Sequence, residues 1–330
     1  MVGVGSLARP ENAVRIQLMR AIGEIIMSKV IVGIHGLANK LPKDEVETYW
    51  KKALVEGLEK NRQVQNPEFD FKLVYWADLL YKHPLHSDEK FYFDDLYDNW
   101  PYVEAKAEDL KEYRDSLLDG VRQSVEDVVG SAWDALRQQF GMSELVAKVI
   151  RKQFRDLNFY YDEERKIANR AGQFERARTV LRGELKAALQ IEKGRDIMLI
   201  AHSMGSIIAY DVLRELAKSD PALKVSHLAT IGSPLGLTPV KHNILDEFGE
   251  VCTPSVVTQS WANFADKRDI VASDEHLADD YGPNPGGIKV QDELISNDYR
   301  RPLDGKPDYH KIYGYLRAPE FSQYFEDFLR

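Results

Sequence analysis

One cysteine, Cys252, stands in 330 residues. A single thiol excludes an intrachain disulfide framework, a four-cysteine zinc site and a cysteine-ligated cluster, and it fits a reducing, cytoplasmic location. Long apolar runs are missing too. The longest stretch without Asp, Glu, Lys or Arg, residues 225–240, is interrupted by Ser, Thr, Gly and Pro, so nothing reads as an integral membrane segment. The N-terminus lacks a signal-peptide pattern, because Arg15, Arg20 and Glu24 break up the apolar residues between positions 14 and 27. Residues 1–29 read as an extension with a short amphipathic helix, and Met27 is an alternative start of translation. Basic charge is in deficit: 44 Lys and Arg against 53 Asp and Glu leave a formal −9. A surface of that sign repels phosphate backbones, which argues against a nucleic-acid partner.

What is present is core material. At 44% hydrophobic and 29% charged, the chain reads as one elaborated globular domain. β-rich runs at 30–34, 69–76, 197–201, 225–231, 256–265 and 288–295 alternate with helical stretches at 43–61, 173–190, 204–218 and 319–329. That alternation is the pattern of an α/β protein with a mostly parallel central sheet flanked by helices. Residues 78–170 contain no strand candidate and are too long for an ordinary crossover, so they read as an inserted helical layer. Leu110, Tyr113, Leu117, Val121, Val125 and Val128 recur there at steps of three and four, as Leu145, Val149, Phe154 and Leu157 do more loosely. Residues 88–127 hold 13 acidic and 5 basic side chains. That acid forms a solvated outer face or a docking surface for a basic partner. The expected division is 1–29 extension, 30–77 with 171–330 core, and 78–170 lid or cap.

The chemistry concentrates after the run at 197–201. There Ala201-His202-Ser203-Met204-Gly205 leads from strand into helix, the pattern of a nucleophile elbow in its Ala variant. So tight a turn demands small residues two before and two after the nucleophile, and Ala201 and Gly205 meet that demand. A helix starting at Met204 aims its amides and dipole at developing negative charge. Upstream, the run at 30–34 enters His35-Gly36-Leu37-Ala38. Acyl transfer needs two backbone donors on the oxyanion, and the amides of Leu37 and Met204 are positioned to supply them. His35, at a strand end and ahead of the serine, reads as a residue that fixes this loop by hydrogen bonding.

With these motifs the sequence resembles the α/β-hydrolase family, and within it lipases and esterases with a His-Gly oxyanion loop and an Ala-His-Ser-Met-Gly elbow. The likeness covers the core and leaves out the insertion; with so little ahead of the His-Gly run, it resembles a version without the fold's first two strands. The resemblance implies a triad in the chain order Ser, Asp or Glu, His. Asp269, in Asp266-Lys-Arg-Asp269-Ile-Val after the run at 256–265, fits the acid, with Asp266 as its rival. His310, in a late loop before the terminal helix, fits the base; His276, His227 and His242 stand in poorer positions. His83 and His86 with Asp78 and Asp88 have a spacing that a divalent ion tolerates, but two histidines around a proline in a charged loop read as surface residues. No metal or cofactor is expected. Residues 230–236 are expected to line the acyl pocket, and Trp100, Trp133 and Phe140 are candidate acyl contacts. The implied activity is hydrolysis of small-molecule or lipid carboxylic esters. Amidase, thioesterase and acyltransferase activities share the same machinery, and a non-catalytic binding module using the acidic insertion is the remaining alternative.

Overall fold

A strand buried on both faces reads as a nearly unbroken apolar run, and Lys-Val-Ile-Val-Gly-Ile at the start of the core is such a run. The computed structural model describes residues 28–86, 100–105, 157–272 and 275–330. In chain order its elements are β1 (Lys29–Ile34), α1 (Lys43–Arg62), β2 (Phe71–Val74), β3 (Lys166–Ala168), β4 (Phe174–Arg176), α2 (Ala177–Ile191), β5 (Asp196–His202), α3 (Met204–Ser219), β6 (Val225–Ile231), α4 (Thr238–Phe248), β7 (Val257–Ala265), α5 (Leu277–Asp280), β8 (Val290–Leu294), α6 (Ile312–Leu316) and α7 (Pro319–Leu329).

Six of the strands form one sheet in the order β2-β1-β5-β6-β7-β8, and each neighbouring pair is parallel. The side-chain alternation of β1 divides the core. Val30, Val32 and Ile34 face Leu181, Leu185, Ile207 and Leu213 of α2 and α3. Ile31, on the opposite face, joins Trp50 and Leu54 of α1 and Phe321 and Phe325 of α7. Helix ends follow local chemistry: Asp44 and Glu45 open α1 and Lys60 and Arg62 close it, matching the helix dipole. Proline begins α7, and Gly249 ends α4 with a left-handed φ of 81°.

The connection after β1 leads to β2 on one side, and the chain later returns to β5 on the other. The carboxyl ends of β1 and β5 therefore part at a topological switch point, where open parallel sheets present their crevice. Both motifs singled out in the sequence leave the sheet there.

The expectation that 78–170 lacks strands is corrected by β3, which lies inside it and pairs antiparallel with β4. The hairpin turns at Asn169, whose side chain accepts from the amides of Ala171 and Gln173 at 3.0 Å each, and at Gly172, with φ 78°. Its strands are three residues long and largely exposed, so no apolar alternation marked them. The helix expected from residue 173 starts at Ala177 for the same reason. The amphipathic faces expected over 110–128 and over 145–154 lie outside the described residues, as do Trp133, Phe140 and the N-terminal helix. Among the described residues, no helix is long and apolar enough to cross a membrane.

Candidate active site

Ser203 is the single residue between β5 and α3 and holds φ 55° and ψ −132°. That region is strained for any residue with a β-carbon, at a cost of about 1–3 kcal/mol. The neighbours enforce it. Ser203 N–H donates to the Ile231 carbonyl at 2.9 Å, and Ser206 Oγ donates to the Ser203 carbonyl at 2.5 Å. A β-carbon at Gly205 would lie 2.8 Å from the carbonyl oxygens of Ile34 and His35, so α3 reaches the end of β1 only with glycine there. Met204 is the first residue of α3, and its amide has no acceptor within the helix.

The loop after β1 passes directly against the serine. A β-carbon at Gly36 would stand 2.6 Å from Ser203 Cβ and 3.0 Å from its Oγ. His35 is buried and locked. Its Nδ1–H donates to the Gly36 carbonyl at 2.7 Å, and its Nε2 accepts from the Trp76 amide at 3.2 Å, which fixes the neutral tautomer with the proton on Nδ1. The ring also stacks on Trp76 with centroids 4.7 Å apart. Beyond it, Lys40 Nζ donates to the Leu37 carbonyl at 2.8 Å, and Ala38 turns the chain with φ 76°.

His310 Nδ1 meets Asp269 Oδ2 at 2.8 Å. Asp269 is buried and also accepts from Tyr315 Oη at 2.8 Å and the Val271 amide at 2.9 Å. Burial pushes its carboxyl pKa up, but the charge of His310 and the three hydrogen bonds outweigh that and leave it below the ordinary value. Gly232 packs against the pair: with φ 52°, its β-carbon would lie 2.8 Å from Asp269 Oδ2 and 3.1 Å from His310 Nδ1. Residue 231 thus holds Ser203 while residue 232 lies against the His310–Asp269 pair, which brings serine, histidine and aspartate to one peptide at the end of β6.

Asp266 is engaged elsewhere. It accepts from Arg268 Nη2 at 2.6 Å and from the Asn297 amide at 2.6 Å. Asn297 Nδ2 in turn donates to the carbonyls of Tyr309 and Lys311 at 2.9 and 2.8 Å, bracing the loop on both sides of His310. Residues 230–236 brace the elbow, since Ser233 Oγ and Ser206 Oγ are 2.7 Å apart. Trp100 is buried in the core with the Arg301 guanidinium over its ring at 5.5 Å.

Five other histidines stand apart from this cluster. His276 is exposed beside Glu275, His242 is exposed on α4, and His227 is half-buried in β6, where desolvation lowers its pKa. His83 and His86 are exposed, and Asp78 is bound by Arg170 Nη1 at 2.6 Å; Asp88 lies outside the described residues. Among the described residues, no group of three or more His, Cys, Asp or Glu side chains is arranged to hold a metal ion.

Sequence reasoning missed three contributors, His202, Asn297 and Tyr315, and named Gly232 only as part of the 230–236 lining. His202 Nε2 donates to the His310 carbonyl at 2.9 Å, and the two rings lie 4.7 Å apart. Its place next to Ser203 was a usable signal. Asn297 and Tyr315 act across separations of 12 to 46 residues and carried none. Neither protein-family models nor curated proteins yield a match to the chain.

Proposed function

We propose that the protein is a serine hydrolase of the α/β-hydrolase fold that cleaves carboxylic esters through an acyl-enzyme on Ser203. The observation that carries this reading is a strained serine at the switch point of a parallel sheet, one peptide away from an Asp–His pair whose carboxylate is buried. Ser203 Oγ attacks the ester carbonyl. His310 Nε2 takes the serine proton and returns it to the leaving alcohol, while Asp269 holds Nδ1–H in place and balances the imidazolium charge. The amides of Leu37 and Met204 bind the tetrahedral oxyanion. Water activated by the same histidine then releases the acid. The helical insertion is proposed as the lid over this crevice.

Hydrolysis of p-nitrophenyl esters from acetate to palmitate tests the proposal. The expected result is turnover by the wild type and a loss of about 10³-fold or more in Ser203→Ala, with the optimal chain length giving the size of the acyl pocket. Wild-type protein that turns over no ester, or a variant as active as the wild type, contradicts it.

A further inference from the structure

Three consecutive carbonyls around the proposed base are held by side chains. Asn297 Nδ2 donates to those of Tyr309 and Lys311 at 2.9 and 2.8 Å, and His202 Nε2 donates to that of His310 itself at 2.9 Å. A carbonyl oxygen only accepts, so this bond requires a proton on Nε2 of His202. The two imidazoles also lie against each other, with centroids 4.7 Å apart and planes inclined by 32°. His202 is 2% exposed and the His310 side chain 28%, so His202 sits behind the base, on its protein side.

The two holders differ in what carries them. Asn297 follows β8 and stands, like His310, outside the helices and strands. His202 is the last residue of β5 and pairs with Ile231 of β6, and its own peptide leads into Ser203. One residue of the sheet therefore has its backbone joined to the nucleophile and its ring joined to the backbone of the base. Groups carried on a strand are placed more precisely than groups on a loop. Asp269 acts at the other end of His310: its bond to Nδ1 orients the imidazole, while the carbonyl contacts place the backbone from which that ring projects.

We infer that His202 is a positioning residue, whose imidazole is the spacer that sets the separation of His310 from Ser203. This inference rests on the hydrolase reading of Ser203. His202 acts through His310, on the step in which the base takes and returns the serine proton. Binding of the ester does not involve it, so its loss lowers kcat and leaves KM nearly unchanged.

Two substitutions separate the donor from the ring. His202→Phe keeps a ring without a donor, and His202→Gln keeps a donor close to the Nε2 position without a ring. On the best p-nitrophenyl ester, His202→Phe is expected to lose about 100-fold in kcat with KM within about threefold, the effect of a misplacement of about 1 Å. His202→Gln is expected to retain at least about a tenth of the wild-type kcat, because the hydrogen bond that sets the spacing is restored. A side chain that only filled space would give the reverse order. A second readout needs no turnover: the downfield proton resonance of His310 Nδ1–H on Asp269, assigned by its loss in His310→Ala. That resonance is expected to persist in His202→Gln and to broaden or vanish in His202→Phe. Wild-type kcat in His202→Phe, or a His202→Gln variant more impaired than His202→Phe, overturns the inference. If His202→Phe does not fold, His202→Gln alone decides, and a kcat there below about a hundredth of wild type overturns it. In a wild-type protein that hydrolyses no ester, a resonance that depends on the donor at 202 supports the positioning of the His310–Asp269 pair and removes the hydrolase reading instead. A resonance indifferent to both substitutions, or missing from the wild type, removes the inference itself.

Discussion

At Ser203 the backbone stores strain that a residue without a β-carbon would relieve. Ser203→Gly is therefore expected to lose all ester turnover and yet unfold at a higher urea concentration than the wild type, by about 1 kcal/mol or more. An unchanged or lower midpoint would mean that the elbow is unstrained. Gly36→Ala acts in the opposite sense: its β-carbon collides with Ser203, so kcat/KM is expected to fall while the far-ultraviolet circular dichroism spectrum stays the same. Asp269 gives a pH signature. Its carboxyl pKa is held below the ordinary 3.8, so its contribution to stability is present above that value and is lost as pH falls through its own lower pKa. Urea midpoints measured from neutrality downward are expected to drop less steeply below about pH 4 in Asp269→Asn than in the wild type. The same variant is expected to lose about 10⁴-fold in kcat, because Asn favours the wrong histidine tautomer.

Between elements, a buried arginine cluster joins α2, α3 and α4. Arg182 on α2 donates to Asp211 at 2.6 Å, Glu215 at 2.9 Å and Glu247 at 2.5 Å, and to Tyr160 Oη at 2.8 Å. Tyr160 in turn donates to Asp211 at 2.7 Å, so the described end of the insertion is tied to the core through this group. Arg182→Met leaves Asp211 buried without its guanidinium and is expected to cost about 3–5 kcal/mol in urea denaturation; a cost under about 1 kcal/mol would mean that the cluster is solvated. Elements also mark where sequence reading stops. The elbow and the His-Gly loop were legible because their constraints are local: a small residue at 205, an apolar strand before and a periodic helix after. The choice between Asp266 and Asp269 was not, because it turns on Arg268 and Asn297 claiming the first and Tyr315 the second. Such contacts span up to 46 residues and leave no periodicity. The β3–β4 hairpin escaped for another reason: short exposed strands carry no burial pattern.

Across the whole molecule, one parallel sheet places every proposed catalytic group at its carboxyl edge. Gly36 and Leu37 follow β1, Ser203 follows β5, Gly232 follows β6 and Asp269 follows β7, and the His310 loop is held against them by Asn297. Much of that arrangement was readable from the order of strands and motifs, whereas the helical faces and most of the acidic run read in the insertion lie outside the described residues. The central claim is that Ser203 is an activated nucleophile, and the most direct measurement is reaction with a fluorophosphonate followed by peptide mapping in a mass spectrometer. The expected result is one phosphonyl group per chain on the peptide containing Ser203, absent in Ser203→Ala and formed far more slowly in Asp269→Asn. A wild-type protein that stays unlabelled, or that carries the group on another residue, contradicts it.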